Sequence, residues 1–199
     1  MRSRVMFGLV IALGSVVLLA ASSSGVASRA DADALRQKFL QIATNGLADS
    51  PEPRQTAVTD EEVNAYIRSL PAEELPQGLL DPQVSILPDG RLSGRATVDL
   101  DALRAASPKD SAVALLPLSG QVPVEAIGVL RTGQGVGAFT LESLTVSGVV
   151  VPKSMLQELV AAYSRSDAAP DGLNLETPFR LPAKIREIRT ARGQAVIVQ

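Results

Sequence analysis

The spacing of apolar residues changes along the chain from a helical period to an alternating one, and this change marks out the predicted elements. From Asp31 to about Asp49, apolar residues recur every three or four positions. This spacing predicts an amphipathic helix with Asp31 or Asp33 as its N-terminal cap. A linker with two prolines, residues 50–54, ends this helix.

The most clearly marked element is a helix that begins after Thr59. Residues 59–62 read Thr-Asp-Glu-Glu, a capping box in which the Thr59 side chain accepts from the Glu62 N–H and the Glu62 side chain bonds back to the Thr59 N–H. Pro71 ends the helix. Its apolar residues form one stripe at helical spacing: Val63, Tyr66, Ile67 and Leu70.

The period then falls to two, which predicts β-hairpins. Residues 83–87 and 91–100 alternate around a Pro-Asp-Gly turn, as expected for a hairpin with one solvated face, and residues 101–106 predict a short helical turn. In a second hairpin, residues 122–130 are almost continuously apolar, so we expect both faces of this strand to be covered. The turn at 132–135 leads to a return strand at 136–146.

A second amphipathic helix is predicted after Pro152, which suits the first turn of a helix. A polar loop at 164–177 and a last pair of strands follow, residues 181–190 and 195–199, with a turn at 191–194. The apolar stripe of this helix consists of Met155, Leu156, Leu159, Val160 and Tyr163.

The order α-α-β-β-β-β-α-β-β contains hairpins and no βαβ crossover, which indicates an α+β protein with an antiparallel sheet. We divide the chain into an N-terminal signal or anchor at 1–28, an N-terminal helix and linker at 29–58, and a single α+β domain at 59–199.

The N-terminus has the pattern of an export signal. Arg2 and Arg4 precede an uncharged apolar run at 5–21 and a stretch of small residues, with cleavage sites after Ser28 and after residue 32. The run is also near the lower limit for crossing a ~30 Å hydrocarbon core, so an uncleaved anchor in the inner membrane is the alternative. A third interpretation is that the run at 5–21 is a buried helix of the fold. Both of the first two predict a periplasmic or other extracytoplasmic location.

Composition excludes several kinds of chemistry. The 199 residues include no Cys, His or Trp, and therefore offer no thiol nucleophile, no Ser-His-Asp triad and no Cys or His metal ligands. The formal net charge is −2 and only 3% of the residues are aromatic, which gives no basic or stacking surface for nucleic acid. We predict no cofactor and no metal.

Three local motifs have ordinary structural interpretations. The glycines at 133, 135 and 137 suit a hairpin turn better than a nucleotide loop, because strand residues follow them. The acids at 60–62 suit helix capping better than cation binding. Lys153-Ser154 lacks the spacing of a Ser/Lys hydrolase. We therefore expect a protein without enzymatic activity.

What remains is the apolar surface of the helices and the strand at 122–130. The two helices either close a solid core over the sheet or leave a groove for an acyl chain or another apolar ligand. Low aromatic content favours the groove slightly, because small aliphatic side chains fill space less completely than rings. A solid core is the simpler alternative.

The motif Thr-Asp-Glu-Glu-Val-Asn-Ala-Tyr-Ile at 59–67 resembles the opening helix of small bacterial envelope proteins with a TULIP-like (tubular lipid-binding) fold. The segments at 148–152 and 179–182 fit the same pattern. The chain departs from it at Val63, where Leu is usual, and in lacking a Cys that could be lipidated.

This resemblance implies a curved antiparallel sheet wrapped around a long helix, with lipid bound in the enclosed groove and no catalytic residues. The implied lining is the two helical stripes, each member of which has ordinary core as its alternative. Two other hypotheses stay open: a solid-core structural or partner-binding envelope protein, and an envelope hydrolase that uses two carboxylates.

Overall fold

The computed structural model describes residues 29–106, 119–152 and 177–199. They form an α+β structure built mostly from antiparallel strands, as the sequence predicted. The helices in these residues are α1 Arg29–Leu47, α2 Asp60–Ser69 and α3 Leu100–Ala106, with a 3₁₀ turn at Ala72–Glu74. The strands are β1 Gln55–Thr59, β2 Leu79–Ile86, β3 Arg91–Asp99, β4 Gln121–Gly133, β5 Val136–Val146, β6 Val149–Val150, β7 Phe179–Arg180, β8 Glu187–Ala191 and β9 Gln194–Val198.

The strands form two antiparallel sheets. The larger sheet has the order β2-β3-β4-β5-β6, with β7 pairing the far end of β5. The smaller sheet has the order β1-β9-β8, so its central strand comes last in the chain. Helix α1 packs on α2 and contacts β1 of the smaller sheet. Its Ile42 packs in a buried cluster with Leu181 and Ile185, from the segment that precedes β8.

The predicted second helix is confirmed, including both halves of its capping box. The Glu62 N–H donates to Thr59 Oγ1 at 3.2 Å, and the Thr59 N–H donates to Glu62 Oε2 at 3.0 Å. Helical geometry ends at Ser69, and Leu70, before Pro71, is already extended. Local chemistry therefore determines both ends of α2.

Both central hairpins are also confirmed. The β2–β3 turn has positive φ at Asp89 and Gly90, and the β4–β5 turn has positive φ at Gln134 and Gly135. Two consecutive residues with positive φ make the type I′ geometry that matches the twist of a hairpin. The glycines at 133–137 are thus part of a turn and its flanking strands.

The expected linker contains a strand that the sequence did not predict. β1 pairs with β9, from Gln55 opposite Val198 to Thr59 opposite Gln194. The division expected at residue 58 falls inside β1. Its partner strand, β9, lies far away in the sequence, so no hairpin pattern around residues 55–59 indicated this strand.

The last predicted strand pair needs a correction. Residues 181–186 do not continue β8; they form an irregular turn with positive φ at Ala183 and Lys184. The Ile185 N–H closes this turn on the Pro182 carbonyl at 2.9 Å. Leu181 and Ile185, on either side of this turn, are both buried in the cluster under α1.

The prediction that residues 122–130 are covered on both faces is wrong for most of their length. Val122 and Val124 are buried, whereas Pro123 between them is exposed. On the same face as Pro123, Glu125 forms an ion pair with Arg95 of β3 at 2.9 Å. Consecutive residues are buried only towards the end of this stretch, after a register shift between residues 127 and 128.

Two predicted elements lie outside the described residues: the signal or anchor at 1–28 and the helix with its stripe from Met155 to Tyr163. Among the helices of the described residues, none combines the length and apolarity needed to cross a bilayer.

Candidate ligand-binding face

The apolar stripe of α2 packs into the core. Ile67 is only 8% exposed and contacts the fully buried Val84 of β2. Val63 and Leu75 pack against this pair. The stripe therefore joins α2 to the edge of the larger sheet.

Tyr66 lies on the side of the stripe that faces α1. Its ring meets Phe39 edge-on, with 5.6 Å between ring centroids, and the Arg36 guanidinium lies 5.6 Å from the centroid of the Tyr66 ring. Burial raises the pKa of the Tyr66 phenol above its usual value. Leu70 is half-buried at the helix end.

The other predicted groove residues, at 155, 156, 159, 160 and 163, lie outside the described part of the chain. The structure therefore places four of the nine candidates: Val63, Tyr66 and Ile67 on α2, and Leu70 at its C-terminal cap.

A more extended apolar surface lies on one face of the larger sheet, which we call the inner face. Cross-strand pairs such as Val84 with Gly94 and Gly94 with Ala126 place alternate residues of neighbouring strands on it. Its residues on β2 to β5 are Val84, Ile86, Leu92, Gly94, Ala96, Val98, Val122, Val124, Ala126, Gly128, Leu130, Phe139, Leu141, Leu144 and Val146.

Each end of the inner face has a buried cluster. At one end Leu100 and Leu103, from α3, pack with Val122 and Val124. At the other end Ile86, Leu92, Leu130 and Phe139 pack together, and Ile188 and Ala195 of the smaller sheet join them.

Between these clusters the side chains are small. Gly94 and Ala126 are paired across β3 and β4, as are Ala96 and Val124. At Gly128 the missing side chain makes room for a ring, because a Cβ there would lie 2.2 Å from Cζ of Phe139. The middle of the inner face is thus a shallow strip bounded at one end by the Phe139 ring.

The opposite face of the same sheet is charged. Arg91 forms an ion pair with Glu142 at 2.7 Å, next to the Arg95–Glu125 pair. An open depression of about 530 Å³ on this side includes the charged side chains of Asp81, Arg95 and Glu125 in its lining. An apolar ligand would therefore favour the inner face over this one.

A second depression, of about 680 Å³, lies between α1 and the edge of β1. It is open to solvent and none of the predicted groove residues lines it. Its lining residues are Lys38, Gln41, Arg54, Gln55, Thr56 and Ala57.

The acids at 60–62 belong to the N-terminus of α2. Burial raises the pKa of Asp60 from 3.8 to about 6, and a hydrogen bond with Glu61 and repulsion from its charge add to this rise. The pKa of Glu61 is lowered, chiefly by a hydrogen bond between its carboxylate and its own backbone N–H. Glu62 completes the capping box and binds Lys38 at 2.5 and 2.7 Å. Nowhere in the described residues do three or more His, Cys, Asp or Glu side chains gather as a metal site would require.

The sequence did not single out the small residues of the inner face. Gly94 and Ala96 alternate along β3, and Ala126 and Gly128 alternate along β4, so the pattern itself was visible. What places the two pairs side by side is the strand register, which the sequence did not reveal.

No protein-family model, no curated protein and no solved structure matches this chain.

Proposed function

We propose that this is an exported, non-enzymatic protein of the bacterial cell envelope that binds or carries a lipid or another apolar molecule against the inner face. In this proposal the larger sheet wraps around a long amphipathic helix, as in TULIP-like proteins. Residues 1–28 direct export, and the run at 5–21 holds the protein to the inner membrane if it is not cleaved.

The observation that carries the proposal is the distribution of side-chain size on the inner face. Large aliphatic residues form clusters at its two ends, whereas Gly94, Ala96, Ala126 and Gly128 occupy its middle. A strip of small apolar residues favours contact with a long, narrow apolar group. Ala96 and Ala126 are each only 7% exposed, so the gain on binding comes from the ligand's own apolar surface, about 25 cal/mol for each Å² removed from water.

The experiment is native mass spectrometry of the full chain, produced in a bacterium and purified from the envelope fraction, followed by organic extraction. We expect an apolar molecule to co-purify at fixed stoichiometry. Ala126→Leu, which fills the middle of the inner face, should reduce occupancy several-fold in a protein that still folds.

Thr97→Leu is the matched control, because residue 97 lies on the opposite face of β3. It adds apolar volume without touching the inner face, and occupancy should stay at the wild-type level. A ligand-free mass in repeated preparations of the wild-type protein would refute the proposal.

The second candidate function is a solid-core protein that binds a partner. It is favoured by the edge strand β6, where Val149 is 69% and Val150 is 66% exposed. Exposed valines on a sheet edge are typical of surfaces that pair with another chain. The ligand-free outcome of the mass measurement would favour this function.

A further inference from the structure

The edge of β1 turns unpaired backbone groups outward. Hydrogen bonds join Arg54 to Gln199 in both directions, at 3.4 and 2.9 Å, and the Asp60 N–H donates to the Gly193 carbonyl at 3.1 Å. In an antiparallel ladder such bonds involve every second residue. The even-numbered residues of β1 therefore face β9, and the N–H and C=O groups of Gln55 and Ala57 face away from it.

Two other sheet edges in the described residues, those of β2 and β8, are each covered at one position by a side chain. On β2, the Asn64 amide accepts from the Val84 N–H and donates to the Val84 carbonyl, both at 2.7 Å. On β8, the Thr132 hydroxyl accepts from the Ile188 N–H at 2.8 Å and donates to the Ile188 carbonyl at 3.0 Å. Such covering prevents a further strand from adding at these places.

The edge of β1 has no such cover along its middle. The Thr59 N–H is taken by Glu62, but among residues 29–106, 119–152 and 177–199 no partner is shown for the outward groups of Gln55 and Ala57. This edge borders the open 680 Å³ depression beside α1. Space, donors and acceptors for an added strand thus occur together.

The charges beside this edge favour an acidic occupant. Arg54 is exposed and takes part in no ion pair within the described residues. Lys38, from α1, lines the same depression and is held in place by Glu62. With one of the two cations unbalanced, a carboxylate on the added strand would meet a positive field.

We propose that the β1 edge is a docking site for an extended, acidic segment of a partner protein. The segment adds to the smaller sheet as a fourth strand beside β1. Its backbone bonds with Gln55 and Ala57, and its carboxylate binds Arg54 at the border of α1. A second copy of this chain is the other possible occupant of this edge, and the oligomeric state distinguishes the two.

The test is selection of random 12-residue peptides displayed on phage against the full-length protein, followed by fluorescence anisotropy with the enriched peptides. We expect acidic sequences that alternate as strands do. Arg54→Glu should weaken their binding about tenfold or more, as expected for reversal of a charge that pairs across an interface. Arg192→Glu, an exposed arginine in the β8–β9 turn, is the matched control and should leave binding unchanged.

Ala57→Pro tests the backbone contribution. Proline removes an N–H that faces away from β9, so the ladder with β9 keeps its bonds and an edge strand accommodates the change. We expect binding to be lost while the thermal unfolding temperature stays near that of the wild type. If Ala57→Pro fails to fold, Arg54→Glu alone tests the proposal, because the Arg54 side chain is exposed and its replacement should leave the fold intact.

Three results would overturn the proposal. The selected peptides could lack acidic residues, or they could bind wild type and Ala57→Pro equally well. The wild-type protein could also form a dimer in sedimentation that is lost in Ala57→Pro. The last would assign the edge to a second copy. Lipid occupancy of these variants should match the wild type, so this test is independent of the inner-face proposal.

Discussion

Asn64 shows how much one side chain can contribute at a sheet edge. Its amide satisfies both backbone groups of Val84 from a position on α2. Asn64→Asp keeps the acceptor and loses the donor, so a carboxylate oxygen would face the Val84 carbonyl. We expect the free energy of unfolding to fall by about 1–3 kcal/mol, measured by urea denaturation.

The control for this substitution is Arg68→Ala, at an exposed position of the same helix. It should change stability by less than about 0.5 kcal/mol. If Asn64→Asp were as stable as the wild type, the two hydrogen bonds would contribute nothing measurable to the joint between α2 and β2.

Asp60 should make stability depend on pH. Its carboxyl has a pKa of about 6 in the folded protein and a lower one when unfolded, so the folded state binds the proton more tightly. The free energy of unfolding should therefore fall as pH rises from about 4 to about 6, and Asp60→Asn should remove that loss.

The measurement is urea denaturation of wild type and Asp60→Asn at pH 4 and pH 7. Relative to wild type, the variant should be more stable at pH 7 than at pH 4. Asp33→Asn, on the exposed side of α1, serves as the control. A difference between wild type and Asp60→Asn that is the same at both pH values would contradict the assignment.

At the scale of single elements, β4 contains a glycine whose absent side chain matters. The Phe139 ring of β5 occupies the space above Gly128, with Cζ 2.2 Å from where a Cβ would lie. Gly128→Ala should overpack this contact and lower the free energy of unfolding by about 1–3 kcal/mol. Adding Phe139→Leu to the same chain should recover part of the loss.

Gly133 provides the comparison within the same strand. A Cβ at Gly133 would meet no atom within 4 Å. Gly133→Ala should therefore stay within about 0.5 kcal/mol of the wild type. Equal effects of the two alanines would show that the ring moves aside without cost.

The elements that the sequence predicted well are those whose determinants are close together in the chain. The capping box at Thr59 and Glu62 spans four residues, and each central hairpin turns on adjacent residues that adopt positive φ. β1 was missed because its partner, β9, lies far from it in the sequence. The small residues in the middle of the inner face were missed for a related reason: strand pairing places them side by side, and the sequence did not reveal that pairing.

At the scale of the whole molecule, the last residue joins three parts of the fold. The Gln199 side chain is buried and donates to the Ile42 carbonyl of α1 at 2.9 Å and to the Ala183 carbonyl at 2.6 Å. It also accepts from Asn45 of α1 at 3.2 Å. Close by, Gly46 lets α1 approach the backbone of Ala183, where a Cβ would lie 2.5 Å from its Cα.

The strand order β1-β9-β8 also sets a sequence of events in time. Neither β1 nor β8 pairs with the other, and both take their ladder bonds from β9. The smaller sheet therefore cannot assemble until β9 has been made. Contacts between such distant segments close slowly. From the time it is made until β9 follows, β1 therefore lacks a partner strand, and water must satisfy its backbone groups instead.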